Sequence, residues 1–347
     1  MRYIIPILYM VSSLLLLTNC SYKPQSAGDD DRIAVMMDSV YYDAWQDAIY
    51  DIFGTIRDLP NPEREFQIAF YPYEKFREWS VQKNIMMIGF LGGKDSVSMM
   101  LERMVNDSLK NKIKNGEYFF FRKRDVYARD QYAMFCIGRD TLDVFIQLNG
   151  YKKQMLQEFR NYYYAKLYKQ MFARAEQKDL EEQIFNTHDF ALRIQHDYAL
   201  VRDNAEDNFL WLRRPFNDRN IFIHWIEGKG PEFIHPDSLV AERDKIGEKY
   251  FEGDYVTKRY FKYFPVTFAG HKALKLEGVW ENKKHYIGGP FRMYAFYDEK
   301  LDKVFMVDIF AFIPDKRKKV FLDQLEVIAS TFRLKYTMNS IEDLWNE

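Results

Sequence analysis

Residues 273–313 read ALKLEGVWENKKHYIGGPFRMYAFYDEKLDKVFMVDIFAFI. Apolar positions recur at strand spacing through three runs, Ala273–Trp280, Lys284–Tyr297 and Lys303–Ile313. A period of two marks a strand with at least one covered face. The breaks Glu281-Asn282-Lys283 and Asp298-Glu299-Lys300 are short and polar, and breaks this short join antiparallel neighbours. With Lys258–Phe268 ahead of them, the runs predict a four-stranded antiparallel meander. Phe321, Leu325, Ile328 and Phe332 share one helical face, which predicts a final helix packed across that sheet. Gly288-Gly289-Pro290 interrupts the middle run and predicts a bulge or sharp bend, flanked by Trp280 and Phe291.

Upstream of the meander, Ala191–Val201, Asn208–Arg213 and Asn220–Glu227 also read as extended, and Ser238–Phe251 as a helix. In Asn208–Arg214, Phe209, Trp211 and Arg213 alternate with Leu210, Leu212 and Arg214, so the two sets face opposite ways. From Thr141 to about Ile184 the pattern is helical. Met155, Phe159, Tyr163, Leu167 and Met171 recur every fourth residue, and Gly150 is a break. Before that, Ile33–Met37, Glu65–Tyr71, Ile85–Leu91, Glu117–Arg122 and Tyr132–Ile137 read as strands. Helices are expected at Tyr41–Ile52, Tyr73–Trp79 and Val97–Lys114, and a turn at Leu59-Pro60-Asn61-Pro62. The expected class is α+β: two α/β-sandwich domains, the second an antiparallel sheet packed by helices, joined by a long helix. The expected boundaries are 33–140, 141–187 for the connecting helix, 188–335, and a tail at 336–347.

The chain has 347 residues, enough for two cores, and is 47% hydrophobic. With 50 basic and 51 acidic residues it carries no global field that would draw in nucleic acid. Aromatics make up 17%, which predicts a core filled with large rings and, where rings are exposed, stacking on sugars or a partner. Two cysteines make neither a disulfide framework nor a metal cluster; Cys136, in YAMFCIG, reads as a buried small hydrophobe.

The N-terminus reads MRYIIPILYMVSSLLLLTNC. Arg2 precedes an apolar run, Ile4–Leu17, too short to span a bilayer as a helix, which is the layout of a signal peptide at 1–19. Leu17-Thr18-Asn19-Cys20 resembles a bacterial lipobox, in which the cysteine thiol takes a diacylglyceryl group. Attachment at Cys20 implies a cell-envelope protein held to a bacterial membrane, the outer membrane by preference, with the leaflet left open. Residues 20–32, SYKPQSAGDDDR after the cysteine, are polar and read as a flexible tether.

Gly92-Gly93-Lys94-Asp95-Ser96 follows an apolar strand and resembles the pyrophosphate loop of adenylating enzymes. Leu91 replaces that loop's first serine, and Gly89–Gly93 is one residue short of a P-loop. An exported chain meets no ATP pool. The preferred reading is a glycine turn with Asp95 capping the helix that follows, and no nucleotide. His188, His196, His224, His235, His271 and His285 form no metal-binding spacing, so neither metal nor cofactor is expected. No G-x-S-x-G elbow occurs. Asp43/Asp47 and Glu181/Glu182 read as solvated charge, as do Arg122-Lys123-Arg124 and Lys316-Arg317-Lys318-Lys319. The basic runs also suit anionic headgroups.

RDVYARDQ (124–131), RDNAEDNFLWLRR (202–214), AERDKIGEKY (241–250), GVWENKKHYIGGPF (278–291) and QLEVIASTFR (324–333) together resemble an uncharacterised family of Bacteroidota lipoproteins carrying a domain of unknown function. The resemblance implies a compartment and an architecture, and no catalytic residues. Within these segments Trp211, Arg213, Arg214, Arg243, Asp244, Trp280, Gly288, Gly289 and Phe291 are the candidates for a binding surface or a structural network. Arg213, Arg214, Arg243 and Asp244 are expected to share one ion-pair network. The leading expectation is a non-catalytic binding or assembly module for an envelope protein or glycan. The alternative is an envelope hydrolase acting on glycan or peptide, with distant residues assembling its site.

Overall fold

A computed structural model describes residues 23–57 and 62–346. The expected signal peptide, Cys20 and most of the Leu59–Pro62 turn lie outside the described residues. The chain divides into two compact units, and the division is not sequential: Thr55–Glu65 belongs with Met155–Glu347, and Phe66–Gln154 with the chain up to and including Gly54.

The first unit is a mixed five-stranded sheet. Its strands are β1 (Arg32–Met36), β2 (Gln67–Tyr71), β3 (Asn84–Phe90), β4 (Phe120–Arg124) and β5 (Tyr132–Gly138), in the order β2-β1-β3-β5-β4. All neighbours are parallel except β4, which runs antiparallel to β5 at the sheet edge. β3 and β5 are continuous apolar runs because parallel strands are covered on both faces. The longer helices are α1 (Tyr42–Phe53), α2 (Ser96–Met104), α3 (Asp107–Lys114) and α4 (Thr141–Gly150), and a single helical turn, Phe76–Trp79, lies within the helix expected at Tyr73–Trp79. Asp95 caps α2 by accepting the Ser98 N–H at 2.8 Å, as the sequence predicted. Cys136 is fully buried in β5, and burial pushes its thiol up.

Residues 24–31 are not the free tether expected from composition. Ser26 N–H donates to Arg129 O, Arg129 N–H to Pro24 O and Ala27 N–H to Val81 O, so the segment is strapped along the first unit. Backbone groups supply much of the binding, and these are the same whatever the side chains; Gln25 Nε2 adds a bond to the Asp130 carboxylate at 2.6 Å and Ser26 Oγ one to Asp130 O at 3.0 Å.

The second unit carries β6 (Ala199–Asn204), β7 (Phe209–Arg214), β8 (Arg219–Glu227), β9 (Asp254–Phe268), β10 (His271–Asn282), β11 (Ile287–Asp298) and β12 (Lys303–Ala311). They form one antiparallel sheet in the order β9-β10-β11-β12-β8-β7-β6. The predicted meander is β9 to β12. The expected long helix is three: α4, α5 (Lys152–Phe172) and α6 (Lys178–Thr187). α7 (Pro236–Tyr250) and α8 (Lys318–Ser330) belong to the same unit. One face of the sheet packs Leu210, Leu212, Ile221, Phe296, Phe305 and Val307 with Leu325 and Ile328 of α8 and Met171 of α5. The other packs Phe209, Phe222, Met293 and Met306 with Leu239 and Ile246 of α7. The predicted split of β7 between two faces is therefore observed. Phe190, Phe305 and Phe332 meet at centroid distances of 5.4–6.3 Å, and each such buried ring contributes on the order of 2–3 kcal/mol.

Gly288-Gly289-Pro290 makes neither bulge nor bend. β10 and β11 pair without a shift from Asn282↔Ile287 to Ala273↔Phe296. Glycine is needed there because neighbouring backbones come close: a Cβ on Gly289 would lie 1.9 Å from Ala311 O, and one on Gly288 2.6 Å from Trp280 O. Pro290 fits because pairing to β12 begins only at Phe291. The bulge lies instead in β9, where the register shifts between Thr257 and Lys262 and four residues bow out opposite Gly278. The described part of the expected tail, residues 336–346, is ordered on the unit. A short helix, Ile341–Trp345, buries Ile341 and Leu344. Among the described residues no helix is long and apolar enough to cross a membrane.

Candidate functional site

The loops at one end of the second unit's sheet bring together residues that lie far apart in the chain. The β7–β8 hairpin supplies Trp211, Arg213, Asp218 and Asn220. The α7–β9 connection supplies Phe251, Glu252 and Asp254, and the β10–β11 turn supplies Asn282 and His285. Together with Trp280 and Phe312 they line a shallow cleft of about 180 Å³. Within it the Trp211 indole donates to Asn220 Oδ1 at 2.9 Å and stands edge-on to Phe251. Arg213 forks onto Asp218 at 2.8 and 2.9 Å. Asn282 is the organising residue. Its Nδ2 is shared among Phe251 O, Glu252 O and the Asp254 carboxylate, while its Oδ1 accepts the N–H groups of Lys284 and His285.

Two carboxyls of the cleft are driven apart in acidity. Burial pushes Asp254 up to about 6. Hydrogen bonds from Lys284 and then His285 hold Glu252 down at about 2. Asn217, Glu252 and Tyr286, in the loops that build the cleft, adopt left-handed backbone that non-glycine residues rarely take. Phe216 and Tyr286, at the tips of the two hairpins, are 82% and 92% exposed. Rings this exposed are available for stacking.

The sequence-predicted candidates separate into several places. Trp211, Arg213 and Trp280 meet in the cleft, although Trp280 is buried and its indole N–H has no acceptor among the described residues. Gly288 and Gly289 lie in β11 beside it, with the Trp280 Nε1 3.1 Å from where a Gly289 Cβ would stand. Phe291 is core. Arg213, Arg214, Arg243 and Asp244 do not share a network: Arg213 pairs with Asp218, Arg214 with Asp197, and Arg243 with Asp308, while Asp244 accepts the Val256 N–H. The reason is register. β7 directs Arg213 and Arg214 to opposite faces, and α7 places Arg243 over the middle of β12.

A second cavity, of about 400 Å³, opens under the β9 bulge and went unforeseen. Arg292, 5% exposed, meets Glu277 at 3.2 Å and Glu326 at 2.7 Å, and Lys275 bridges the same two acids at 3.0 Å each. Burial alone would raise Glu326, but Lys275 and Arg292 outweigh it and hold the carboxyl down at about 2. Lys319 and Asp323 pair one turn apart on α8, and Tyr164 donates to Asp323 at 2.9 Å. Lys318 and Lys319 are thus buried, not the solvated run expected. Their backbone N–H groups donate to the Glu63 carboxylate at 2.7 and 3.0 Å. The available signal was Arg292 within the apolar run FRMYAFY; Lys319, Asp323 and Glu326 stand opposite the Phe321, Leu325, Ile328 and Phe332 stripe of α8, where charge reads as solvated, so the helix carried no signal. Glu181, expected on a solvated face, is buried too, accepting from Ile194 N–H and the Trp345 indole.

A third cavity, of about 420 Å³, holds His188 against Asp203 at 3.0 Å, with the imidazole stacked on Phe190. Among the described residues no group of three or more His, Cys, Asp or Glu side chains is placed to hold a metal ion.

Comparison with known families divides the chain in two. Residues 26–172 match a model described as Domain of unknown function (DUF8532), and residues 177–331 one described as Domain of unknown function (DUF4837). Neither description states an activity. The family boundary falls at the C-terminal end of α5, although the helix packs with the second unit. No curated protein matches the chain. Among solved structures, a Bacteroides thetaiotaomicron protein matches at 9% identity over 42% of this chain and 45% of its own, with a TM-score of 0.27. The chain therefore spans less than half the length of that protein. LpqN, described as involved in cell envelope biogenesis of Mycobacterium tuberculosis, matches at 14% identity over 42% of this chain and 82% of its own, TM-score 0.27. The Saccharomyces cerevisiae Ran-binding protein Mog1p matches at 10% identity over 42% and 90%, TM-score 0.29.

Proposed function

We propose that this protein is a non-catalytic cell-envelope lipoprotein, anchored through Cys20 to the outer membrane, that binds an envelope glycan at the cleft of its second unit. The observation that carries the reading is the pair of exposed rings, Phe216 and Tyr286, at hairpin tips flanking a shallow cleft. Sugar rings stack on aromatic faces, and the half-exposed or exposed side chains of Arg213, Glu252 and His285 at the cleft offer the mixed donors and acceptors that hydroxyls need. The expected lipoprotein family, the absence of any nucleotide or nucleic-acid ligand, and the envelope location are part of the same proposal. The lipobox, the apolar leader and the balanced charge support them.

The test is calorimetric titration of cell-wall and surface oligosaccharides against the full-length protein in detergent. Binding that is lost in a Phe216→Ala/Tyr286→Ala variant of unchanged circular dichroism supports the proposal. No binding by any glycan, together with specific capture of one envelope protein by in-cell crosslinking, replaces the glycan with a protein partner.

One observation favours the hydrolase reading: Asp254 and Glu252, whose acidities are split as in an acid and base pair, share one wall of the cleft. Chromatography of the titrated glycan distinguishes the two. Cleavage products that vanish with Asp254→Asn establish an enzyme; recovery of intact glycan leaves a binder.

A further inference from the structure

The strap that replaces the expected tether has a geometric consequence for the first unit. Pro24 O accepts the Arg129 N–H at 2.8 Å, so the chain is fixed to the fold from Pro24 onward. Only Ser21, Tyr22 and Lys23 separate that point from Cys20. At 3.3–3.6 Å per residue, four steps reach at most about 14 Å in any conformation. A lipid on Cys20 therefore holds this edge of the first unit within about one to two Debye lengths of the headgroups.

The edge carries charge suited to that neighbour. β4 is an edge strand, and its Arg122, Lys123 and Arg124 are exposed, as are Lys23 and Arg129 on the strap and its partner turn. Asp125 and Asp130 lie among these five cations, while Asp29 and Asp30 of the strap are paired with Arg32 at 2.7 Å and Lys83 at 2.9 Å. The chain as a whole is balanced, with 50 basic and 51 acidic residues, so the excess is local to the point where the anchor enters. Resting on lipid attachment at Cys20, we propose that β4 and the 125–131 turn form a membrane-facing surface that lies against anionic phospholipid headgroups. The anchor then supplies the attachment, and the basic edge fixes which face of the unit lies against the headgroups.

The test uses the full-length lipidated protein reconstituted into vesicles of phosphatidylethanolamine with phosphatidylglycerol, or of phosphatidylcholine alone. A dye on Lys123→Cys reports energy transfer to a headgroup dye; Cys136 is buried and does not compete. The expected result is strong transfer on anionic vesicles that falls roughly twofold or more on raising salt, and again with Arg122→Glu/Arg124→Glu. Inserting twenty glycine and serine residues after Tyr22 is expected to weaken it as well. Equal transfer on both vesicle types, insensitive to salt and to the insertion, overturns the proposal. The salt titration decides the matter even where the charge variant misfolds. Intact mass lacking the lipid overturns the anchor reading separately, before any vesicle is used.

Discussion

Asp308 sits in the middle of β12, fully buried, with Arg243 Nε 2.8 Å from its carboxylate. Ordinary reasoning about ion pairs predicts that removing the acid costs about 3–5 kcal/mol, because a buried guanidinium is left alone. The electrostatics point the other way. Burial pushes Asp308 up to about 6 even with Arg243 beside it, so desolvation outweighs the pair. A carboxyl raised above its unfolded value contributes stability that is fully present below about pH 4 and lost as pH rises through about 6. That rise spans about two pH units at about 1.4 kcal/mol each, so the loss is about 3 kcal/mol. Asp308→Asn mimics the protonated acid. It is therefore expected to match the parent near pH 4 and to exceed it by up to about 3 kcal/mol at pH 7. Arg243→Met removes the charge that compensates the acid, so it is expected to destabilise at pH 7 and less at pH 4. The assay is hydrogen exchange of β12 amides against pH, because two units make a single unfolding midpoint ambiguous. An Asp308→Asn variant less stable than the parent at pH 7, with parallel curves down to pH 4, overturns this account.

Glu181, buried under the C-terminal helix, is pushed up to about 7 by burial first and the nearby Glu176 charge second. Its stabilisation is present below about pH 4.5 and lost through pH 7, so Glu181→Gln is expected to flatten that slope in Trp345 fluorescence. Gly289→Ala forces a Cβ to 1.9 Å from Ala311 O and is expected to cost about 3 kcal/mol by denaturant titration; Gly270→Ala meets no atom and costs only the strain of its positive φ. Glu63→Ala removes the acceptor for Lys318 and Lys319 N–H and is expected to cost about 1–2 kcal/mol, with exchange accelerating first in the opening turn of α8.

The meander, the face-splitting of β7 and the Asp95 cap were legible because each depends on neighbours a few residues apart. The cleft was legible in part: Trp211, Arg213 and Trp280 were named, but not Asp254, Asn282 or His285. Those three join only when the α7–β9 connection and the β10–β11 turn arrive at one end of the sheet, which no local period encodes. The ion pairs misled for the same reason. Arg213 and Arg243 take partners 5 and 65 residues away, and spacing does not distinguish the two. Gly288 and Gly289 signalled a constraint correctly, yet the constraint was an adjacent strand and not a bend.

The Glu63 carboxylate that closes the start of α8 comes from a chain segment 255 residues earlier. At 5–20 residues per second, it leaves the ribosome ~13–50 s before the backbone it will hold. Thr55–Glu65 thus leaves the first unit as an arm whose docking site does not yet exist, and the two units cannot be finished strictly in turn. A nascent chain in this interval carries an acidic hook awaiting its eye. Separating the halves at residue 154 would strand the hook in one polypeptide and the eye in the other, so the C-terminal piece alone would fold with α8 unlatched.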